Sequence, residues 1–578
     1  MLLLHKGTDS HCKLSNEGGT KMHFDNFLAN IYFGSLDMEQ FHSFQDLEED
    51  EKTREIIEKY EKITERYPST HVEELGTVPI ELLEELKSIG FFGLNIPEEY
   101  GGVGLSIRQY LKVVEALSGS DLALALISLA HLSIGCKGIV LFGTEEQKEK
   151  YLAPAATGEM IFSYALTEPK IGSDAKHIET WATLSDDGKY YILNGHKTYI
   201  TNANYAGGLT VFAQLNRDKP GFMGAFIVET AWDGVKIGRD MPKMGLKASS
   251  TAAIEFKDVR VPVENLLGQP GDGFKIAMTI LNYGRVALGA GSAGALHLSR
   301  RDMEKQSARR IQFGVPINTF ELIQEKIVKA KVDGYVTSAV TAFTAGLLDK
   351  NPLAPVAIES SHCKLFGTTR AWDTLYNGLQ VAGGSGYLAT QPYEKRMRDF
   401  RVTTIFEGTT EIHSIYPPLF VLRNLDKAMK AAQRSTTSRL AFLLKGMFIR
   451  AKWKLRFNNR VMNRAARLAK ANARSIRFML HAGILMYGKK MQNKQFFLRR
   501  LTNLSLYLFG LIAVLAKIDA EQKMGRDVSE DVKILAYFVE EARQARRNDN
   551  RLIRSKGEAL HKNIFQDIVS PSFSPPKA

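Results

Sequence analysis

The sequence predicts an α+β fold, because the spacing of its hydrophobic residues changes twice along the chain. Apolar residues recur every three or four positions up to about residue 160, alternate between 161 and 268, and return to helical spacing afterwards. The chain has 578 residues, of which 44% are hydrophobic and 24% charged, which is enough for several globular domains. We therefore expect an N-terminal helical domain, a middle β-barrel-like domain, a C-terminal four-helix bundle and an additional helical C-terminal domain. The expected boundaries are an N-terminal segment 1–44, the N-terminal helical domain 45–160, the β domain 161–268, the helical bundle 269–425, a basic helical extension 426–565 and a disordered tail 566–578.

The first domain is predicted to be helical from its acidic opening at about residue 48. The stretch from Pro79 to Gly90 places apolar residues at helical spacing and ends in glycine, which is typical of a helix C-terminus. A strongly apolar helix is predicted from Asp121 to Gly135. Its small residues indicate either close helix packing or room for a ligand, and packing is the preferred interpretation.

The middle domain is predicted to consist of strands. The segment Tyr190–Thr201 is interpreted as two strands about a turn at Asn-Gly, and further strands are expected at 209–215, 224–229 and 252–256.

Four helices are predicted for the third domain, at 273–306, 319–349, 355–381 and 408–424. One of them contains Gly289-Ala-Gly-Ser-Ala-Gly294, which matches the G-x-G-x-x-G pattern of dinucleotide sites. That pattern requires a preceding strand, whereas residues 277–288 have helical spacing. We interpret these glycines as helix-packing positions and expect no nicotinamide site.

Cysteine usage and hydropathy exclude several classes of protein. Cys12, Cys136 and Cys363 are far apart and form no C-x-x-C pattern, so neither a disulfide framework nor a metal site is predicted. The apolar run Leu501–Ala516 is interrupted by polar residues and is interpreted as a buried helix, so no membrane span is expected. The N-terminus lacks a signal-peptide cleavage pattern, and Met22 is an alternative start.

The net charge of +13 is concentrated in the extension. Residues 431–518 contain 19 lysines and arginines, and no acidic residue occurs between Asp426 and Asp519. Aromatic and aliphatic residues alternate with these cations between Phe442 and Arg460, a composition typical of an amphipathic helix on an anionic membrane surface. A solvated basic face and a nucleic-acid patch are the alternatives. Because no nucleic-acid-binding signature occurs, we expect no nucleic-acid partner.

One carboxylate has an unusual sequence context. Glu407 lies in Thr404-Ile-Phe-Glu-Gly-Thr-Thr-Glu411, between an apolar pair and a glycine. Desolvation by apolar neighbours raises the pKa of a carboxyl group, so Glu407 is a candidate base. The alternative is an ordinary helix N-terminus capped by Thr404 or Thr409.

Several motifs together resemble the flavin-dependent acyl-CoA dehydrogenase family. They are Thr167-Glu-Pro-Lys-Ile-Gly-Ser-Asp174, Asn194-Gly-His-Lys-Thr-Tyr-Ile-Thr201, Met397-Arg-Asp-Phe-Arg401 and Phe406-Glu-Gly-Thr409, in this order across a helix, strand, helix layout. The resemblance spans about residues 45–425. The basic extension is similar to that of the very-long-chain branch, whose members associate with membranes.

The resemblance implies FAD-dependent α,β-dehydrogenation of an acyl-CoA thioester to trans-2-enoyl-CoA. In this family the base is the glutamate of Glu-Gly-Thr, which corresponds to Glu407, and Gly408 would let the thioester approach. Some relatives carry the base at the position of Gly284, which cannot ionise here. The substrate-binding residues implied by the resemblance are Ser173, Asn282, Tyr283, Gly284, Arg285, Phe406 and Gly408.

The resemblance also implies a set of flavin contacts. Tyr199 stands where the family usually has tryptophan, which keeps an aromatic face but changes the residue behind the flavin. Arg310 and Gln312 match residues that reach the flavin pyrophosphate of a neighbouring subunit, so a homodimer is expected. The cofactor-binding residues implied are Tyr164, Leu166, Thr167, Gly172, Ser173, Tyr199, Ile200, Thr201, Arg310, Gln312, Gln380, Gly383, Gly384, Thr409 and Glu411.

The implied partners are a long-chain acyl-CoA and an electron-transferring flavoprotein as electron acceptor. We expect a cytoplasmic enzyme of fatty-acid β-oxidation that is peripherally bound to the inner face of the membrane. Two alternatives remain: an acyl-CoA oxidase that passes electrons to oxygen, and a scaffold that keeps the fold without relevant turnover.

Overall fold

The computed structural model describes residues 12–14, 22–44, 50–431, 436–448, 451, 453–553 and 555–568. The chain forms two compact units. The first contains Glu39–His413 and Ala516–Asp527, and the second contains the described parts of Leu4–Met38, Ser414–Leu515 and Val528–Ala578.

Helices dominate both units, and strands are concentrated in the first. The α-helices are α1 (Phe27–Tyr32), α2 (Met38–Phe41), α3 (Glu51–Arg66), α4 (Ser69–Leu75), α5 (Ile80–Ser88), α6 (Ile107–Ser120), α7 (Leu122–Ser128), α8 (Lys137–Phe142), α9 (Glu145–Thr157), α10 (Gly273–Arg309), α11 (Glu321–Lys350), α12 (Ala357–Ala382), α13 (Pro392–Arg401), α14 (Thr410–Ala431), α15 (Thr436–Phe448), α16 (Arg460–Tyr487), α17 (Gln495–Lys523), α18 (Ser529–Asp549) and α19 (Lys556–Ile568). The strands are β1 (Cys12–Leu14), β2 (Met22–Phe24), β3 (Ile161–Ala165), β4 (Trp181–Leu184), β5 (Tyr190–Thr201), β6 (Ala206–Gln214), β7 (Met223–Glu229), β8 (Val235–Ile237), β9 (Thr251–Pro262), β10 (Leu266–Gly271), β11 (Ile311–Gln312) and β12 (Val315–Pro316).

The helices predicted before residue 160 are present. Asp50 accepts a hydrogen bond from Lys52 N (3.3 Å) and caps α3. Asp121 caps the predicted apolar helix by accepting from Ala123 N and Leu124 N. That helix runs through α7, a π-helical segment Leu129–Gly135 and α8, and most of its side chains are buried. Its small residues therefore serve packing.

The middle of the first unit is an eight-stranded sheet with the order β10-β7-β6-β4-β5-β9-β8, and β3 pairs with β6. Most pairs are antiparallel, but β6 pairs in parallel with β3 and with β4. The alternation predicted from the sequence turns one set of side chains into a hydrophobic core, which includes Leu193, Leu209, Val211, Phe226, Ile254 and Val259.

The prediction of two strands within Tyr190–Thr201 is wrong. These residues form one strand, β5, which pairs with β9 along its whole length. The register shifts between Leu193 and Gly195, where the single residue Asn194 lies opposite Lys257 and Asp258, so the bulge is on β9. Gly195 has φ +147°, and a Cβ there would lie 2.4 Å from Thr180 Oγ1. The close approach of the residue that precedes β4 therefore explains the glycine.

The helices predicted after residue 270 are confirmed as α10, α11, α12 and α14, and α13 was not predicted. Helices α10, α11 and α12 pack against one another, and α10 and α11 also pack against α6. The G-x-G-x-x-G glycines lie inside α10. A Cβ on Gly289 would lie 2.9 Å from Thr341 Oγ1, and one on Gly294 would lie 2.0 Å from Glu115 O. They are helix-packing positions, as predicted.

The described part of the second unit contains helices and the two short strands β1 and β2, and α16 packs against both α15 and α18. The run Leu501–Ala516 lies in α17 and is mostly buried, as predicted. By length and composition, the segments Leu122–Phe142 and Gln495–Lys523 could each cross a membrane, but 83% and 78% of their most apolar windows are buried. They serve as core helices here.

Cys136 and Cys363 are buried free thiols.

The prediction of one amphipathic helix between Phe442 and Arg460 is wrong. Helix α15 ends at Phe448, α16 begins at Arg460, and the described residues between them are not helical. Phe442 and Leu443 are buried in a core cluster with residues of α14, and the buried Trp453 packs beside Lys470. Part of the presumed membrane face is therefore core, because helical spacing alone cannot distinguish the two environments.

Candidate active site

The candidate base lies in a short segment between α13 and α14 with an unusual backbone. Glu407 has φ +58° and Gly408 has φ +100°. A left-handed backbone at glutamate is strained, and such strain is concentrated at functional sites. Thr409 Oγ1 accepts a hydrogen bond from Ile412 N (3.4 Å), so the alternative of a threonine cap on the following helix is also correct. Thr409 caps the helix and Glu407, two residues earlier, has the strained backbone, so both interpretations hold.

The carbonyl oxygens of this segment are held by side chains from three helices. Arg285 Nε of α10 and His413 Nε2 of α14 donate to Glu407 O at 3.2 and 3.0 Å. Lys364 Nζ of α12 donates to Gly408 O at 2.6 Å. These donors stabilise the strained backbone and leave the Glu407 carboxylate free to point elsewhere.

The tautomer of His413 follows from its two contacts. Because a carbonyl oxygen only accepts, Nε2 carries the proton that binds Glu407 O, and Nδ1 accepts from Ser361 Oγ at 2.8 Å. Burial lowers the pKa of His413 well below its ordinary value, and the nearby Arg285 and Lys364 act in the same direction. His413 is therefore a neutral hydrogen-bonding support. A Cβ on Gly408 would lie 2.8 Å from His413 Nε2, which explains the glycine.

The Glu407 carboxylate is buried and poised to take up a proton. Within the described part of the chain, its Oε2 atom is buried without a hydrogen-bond partner. Burial raises the pKa of Glu407 to about 7, although Arg285 and Lys364 both act to lower it. Burial likewise lowers the pKa of Lys364 to about 7, against the opposing effect of Glu407. A carboxyl group with a pKa near 7 suits general-base chemistry at neutral pH.

Gly284 provides the space for that carboxylate. A Cβ at this position would lie 2.9 Å from Glu407 Oε1 and 2.8 Å from Ile134 Cγ2. Tyr164 lies on β3 close enough for Glu407 to raise the pKa of its hydroxyl, after the larger effect of burial. The structure thus brings Glu407 and Tyr164 together with the adjacent pair Gly284-Arg285, although these three places are far apart in the sequence.

The two strand motifs meet at a buried ion pair. Lys197 Nζ donates to Glu168 Oε1 at 2.7 Å and to Leu166 O at 3.1 Å, and both charged side chains are buried. Thr198 N donates to Thr167 O at 2.9 Å. These contacts hold the end of β3 beside β5, so that Leu166 and Thr167 lie next to the segment 199–201.

Tyr199 presents an open aromatic face at this place. Its backbone has φ +56° and its side chain is 67% exposed, which is unusual for a large aromatic residue within a strand. Glu168 and Ile171 form a tight turn through reciprocal backbone hydrogen bonds, and a Cβ on the following Gly172 would meet nothing within 4 Å. An exposed ring beside accessible backbone fits a flat heteroaromatic cofactor such as the isoalloxazine ring.

The remaining predicted cofactor residues lie on exposed surfaces. Arg310 and Gln312 are exposed on and beside the β11–β12 hairpin, and Glu411 is exposed in the first turn of α14. Gln380, Gly383 and Gly384 are exposed at the end of α12, where a Cβ on either glycine would meet nothing within 4 Å. The predicted substrate residues Asn282 and Tyr283 bind Ser360 Oγ and Pro352 O, respectively, and Ser173 is exposed.

Sequence reasoning missed the supporting residues Ser361, Lys364, His413, Lys197 and Glu168. One signal was available, because the polar run Ser360-Ser-His-Cys-Lys364 interrupts an apolar stretch, and positions three apart share a helix face. The Met397–Arg401 motif has a structural role. Asp399 accepts from Leu246 N (2.5 Å) and from Lys395 Nζ (2.6 Å), joining α13 to the β domain.

Comparison with known proteins gives consistent matches over most of the chain. Models of the acyl-CoA dehydrogenase N-terminal, middle and C-terminal domains match residues 50–159, 163–259 and 271–415. The mitochondrial very long-chain specific acyl-CoA dehydrogenases of Macaca fascicularis and Homo sapiens are each 33% identical over 93% of this chain and 86% of their own length. A probable acyl-CoA dehydrogenase of Bacillus subtilis is 39% identical over 61% of both chains.

Two solved structures show how far the fold agrees. An acyl-CoA dehydrogenase of Bacillus anthracis complexed with FAD superposes with a TM-score of 0.80 at 29% identity, covering 95% of this chain and 96% of that one. Butyryl-CoA dehydrogenase of Megasphaera elsdenii gives a TM-score of 0.62 at 33% identity, covering 65% of this chain and all of the other. At 95% coverage, the longer match includes most of the C-terminal extension.

Proposed function

Because the chain belongs to the acyl-CoA dehydrogenase family and uses FAD, we propose that it oxidises long-chain acyl-CoA thioesters to trans-2-enoyl-CoA. The observation that carries this proposal is the buried, unpartnered Oε2 of Glu407, whose pKa is raised to about 7 by burial. A carboxylate in that state accepts a proton from a weak carbon acid far more readily than a hydrated one. Bound FAD supplies the acceptor for the β hydride.

In this proposal Glu407 removes the α proton of the thioester. Arg285, Lys364 and His413 hold the carbonyl oxygens of Glu407 and Gly408, so the carboxylate is oriented before substrate arrives. The positive charges of Arg285 and Lys364 also keep the pKa of Glu407 from rising further. Arg285 and Lys364 therefore affect both the position of Glu407 and its basicity, which burial chiefly sets.

The exposed aromatic face of Tyr199 and the backbone around it would hold the flavin ring. Thr167 and Tyr199 would flank it, and the open backbone at Gly172 and Ser173 would contact the cofactor and the CoA moiety. Arg310 and Gln312 would bind the pyrophosphate of a second subunit's flavin, since exposed guanidinium groups suit phosphate. Their exposure supports the proposal of a homodimer.

Acyl-chain length and electron acceptor can be tested together. Anaerobic addition of palmitoyl-CoA to the FAD-loaded protein should bleach the flavin absorbance, and shorter acyl-CoAs should bleach it more slowly. The relatives named as very long-chain specific support this order. Admission of air should then restore the absorbance slowly, whereas an electron-transferring flavoprotein should restore it quickly. Fast reoxidation by air would favour an acyl-CoA oxidase, and no bleaching would leave only a scaffold.

Lys364→Met should shift the pH dependence of the reaction. Arg285 and Lys364 both lower the pKa of Glu407, so removing Lys364 raises that pKa and the carboxyl stays protonated to higher pH. The acid limb of kcat/KM should therefore move to higher pH than in the wild-type enzyme. Stopped-flow bleaching from pH 6 to 9 measures it. A purely structural lysine would change the rate without moving the limb.

We further propose peripheral membrane association, at the inner face of a cytoplasmic membrane, through the basic extension. The support is the 19 lysines and arginines of residues 431–518 and the exposed apolar residues of the helices, among them Leu440, Leu444 and Phe448. Binding to vesicles of anionic phospholipid should weaken steeply between low and physiological salt, measured by co-sedimentation. Salt-independent binding, or none, would indicate a solvated basic face.

A further inference from the structure

A cavity in the second unit combines a cationic side with an apolar rim. It has a volume of about 800 Å³ and lies among α15, α16, α18 and the segment that follows α18. The arginines that line it are Arg474, Arg477, Arg546 and Arg551. Its size is that of an ordinary small-molecule site.

The positive charge of this cavity is not compensated by its own lining. Among the described residues that line it, none is acidic. Burial, and then the charge of Arg474, lower the pKa of both Arg477 and Arg546. Guanidinium groups nevertheless stay charged, so the cavity attracts an anion.

Two of these arginines are held in fixed positions. Arg546 Nη1 donates to Ala471 O at 3.0 Å and to Ser475 Oγ at 2.7 Å. Arg477 is 2% exposed, and Gly34 makes room for it, since a Cβ there would lie 2.9 Å from Arg477 Nη1. Preorganised arginines lose little entropy when they bind an oxyanion.

The rim of the cavity is apolar and open to solvent. Phe448 is 75% exposed and Ile553 is 73% exposed, and both line the cavity. Phe448 makes an edge contact with Phe478, whose ring centroid lies 6.4 Å away. Exposed aromatic and aliphatic groups beside clustered cations match a ligand with an anionic head and an apolar chain.

We propose that this cavity binds a phosphate-bearing acyl amphiphile, with its phosphate group at the four arginines and the start of its chain against Phe448 and Ile553. Phosphate oxygens match the fork geometry of arginine, which binds them through two parallel hydrogen bonds. Two sources share this chemistry, namely an anionic phospholipid and a long-chain acyl-CoA. The cavity is separate from Glu407 and does not depend on the proposed dehydrogenation.

The test uses calorimetric titration of the full-length, FAD-loaded protein with hexadecyl phosphate. Arg474 and Arg551 are exposed, so Arg474→Gln/Arg551→Gln should fold normally while removing half of the cationic head site. We expect the double variant to lose at least about tenfold in affinity. The matched control is Arg460→Gln/Arg467→Gln, which removes two exposed arginines of α16 outside the cavity and should bind as the wild type does. Phe448→Ser should also weaken binding.

Equal affinity in the wild type and the Arg474/Arg551 variant would overturn the proposal, and so would equal weakening in the control. Displacement of hexadecyl phosphate by CoA would identify a long-chain acyl-CoA as the ligand. Displacement by phosphatidylglycerol vesicles alone would identify a lipid. Bleaching by palmitoyl-CoA should be unchanged in all these variants, so a failed dehydrogenase assay and a failed binding assay are distinguishable.

Discussion

Replacing Glu407 with glutamine is expected to lower the rate of flavin reduction by palmitoyl-CoA by about 10²- to 10⁴-fold, the usual contribution of a positioned base. Glutamine keeps the size and the backbone conformation but cannot accept the α proton. FAD content and substrate affinity should change little, because Arg285, Lys364 and His413 bind main-chain oxygens that the variant retains. Anaerobic stopped-flow absorbance measures the rate directly.

The pH dependence of kcat/KM is a second, independent test of Glu407 as the base. Burial raises the pKa of Glu407 to about 7, so the base is mostly protonated below that pH and ionised above it. The wild-type kcat/KM should rise with pH through about 7, and the residual activity of the variant should lack that limb. Glu325→Gln on the exposed face of α11 is the matched control. Full bleaching by the Glu407→Gln protein would refute the proposed mechanism.

The candidate base could be predicted from its neighbours in sequence, but its setting could not. An acidic residue between an apolar pair and a glycine indicates an unusual carboxylate whatever the fold. The donors that hold it come from α10, α12 and α14, and Gly284, which makes room for it, is more than 100 residues away. No local pattern reports which helices meet, so the contacts of Lys364 and His413 with this segment could be found only in the structure.

The two local predictions that failed have a common physical origin. Asn194-Gly195 is typical of a hairpin turn, and the residues from Phe442 onward have the composition of a surface helix. In each case a tertiary contact determines the structure instead. Strand β9 pairs with β5 on both sides of the bulge, and a core cluster with Leu425 and Met429 buries Phe442. Propensity is a weak local preference that tertiary contacts override. Long periodic segments such as α10 were predicted well because many residues agree.

Replacing Lys197 with methionine is expected to destabilise the contact between β3 and β5 by about 3–5 kcal/mol, since it leaves a buried carboxylate without its counter-charge. Burial acts to raise the pKa of Glu168, and Lys197 is the main group that opposes it and holds that pKa below its ordinary value. Without the lysine, Glu168 must protonate or draw in water. Both would disturb the contact of Thr198 N with Thr167 O that sets the two strands side by side.

The measurement is the temperature at which FAD fluorescence appears on heating, because release of the flavin reports loss of this region. Lys197→Met should lower that temperature by several degrees, whereas Lys257→Met, at an exposed position on β9, should not. Adding Glu168→Gln to the Lys197 variant removes the orphaned charge and should recover part of the loss. A double variant as unstable as Lys197→Met would show that the lysine acts through packing of its alkyl chain rather than through its charge.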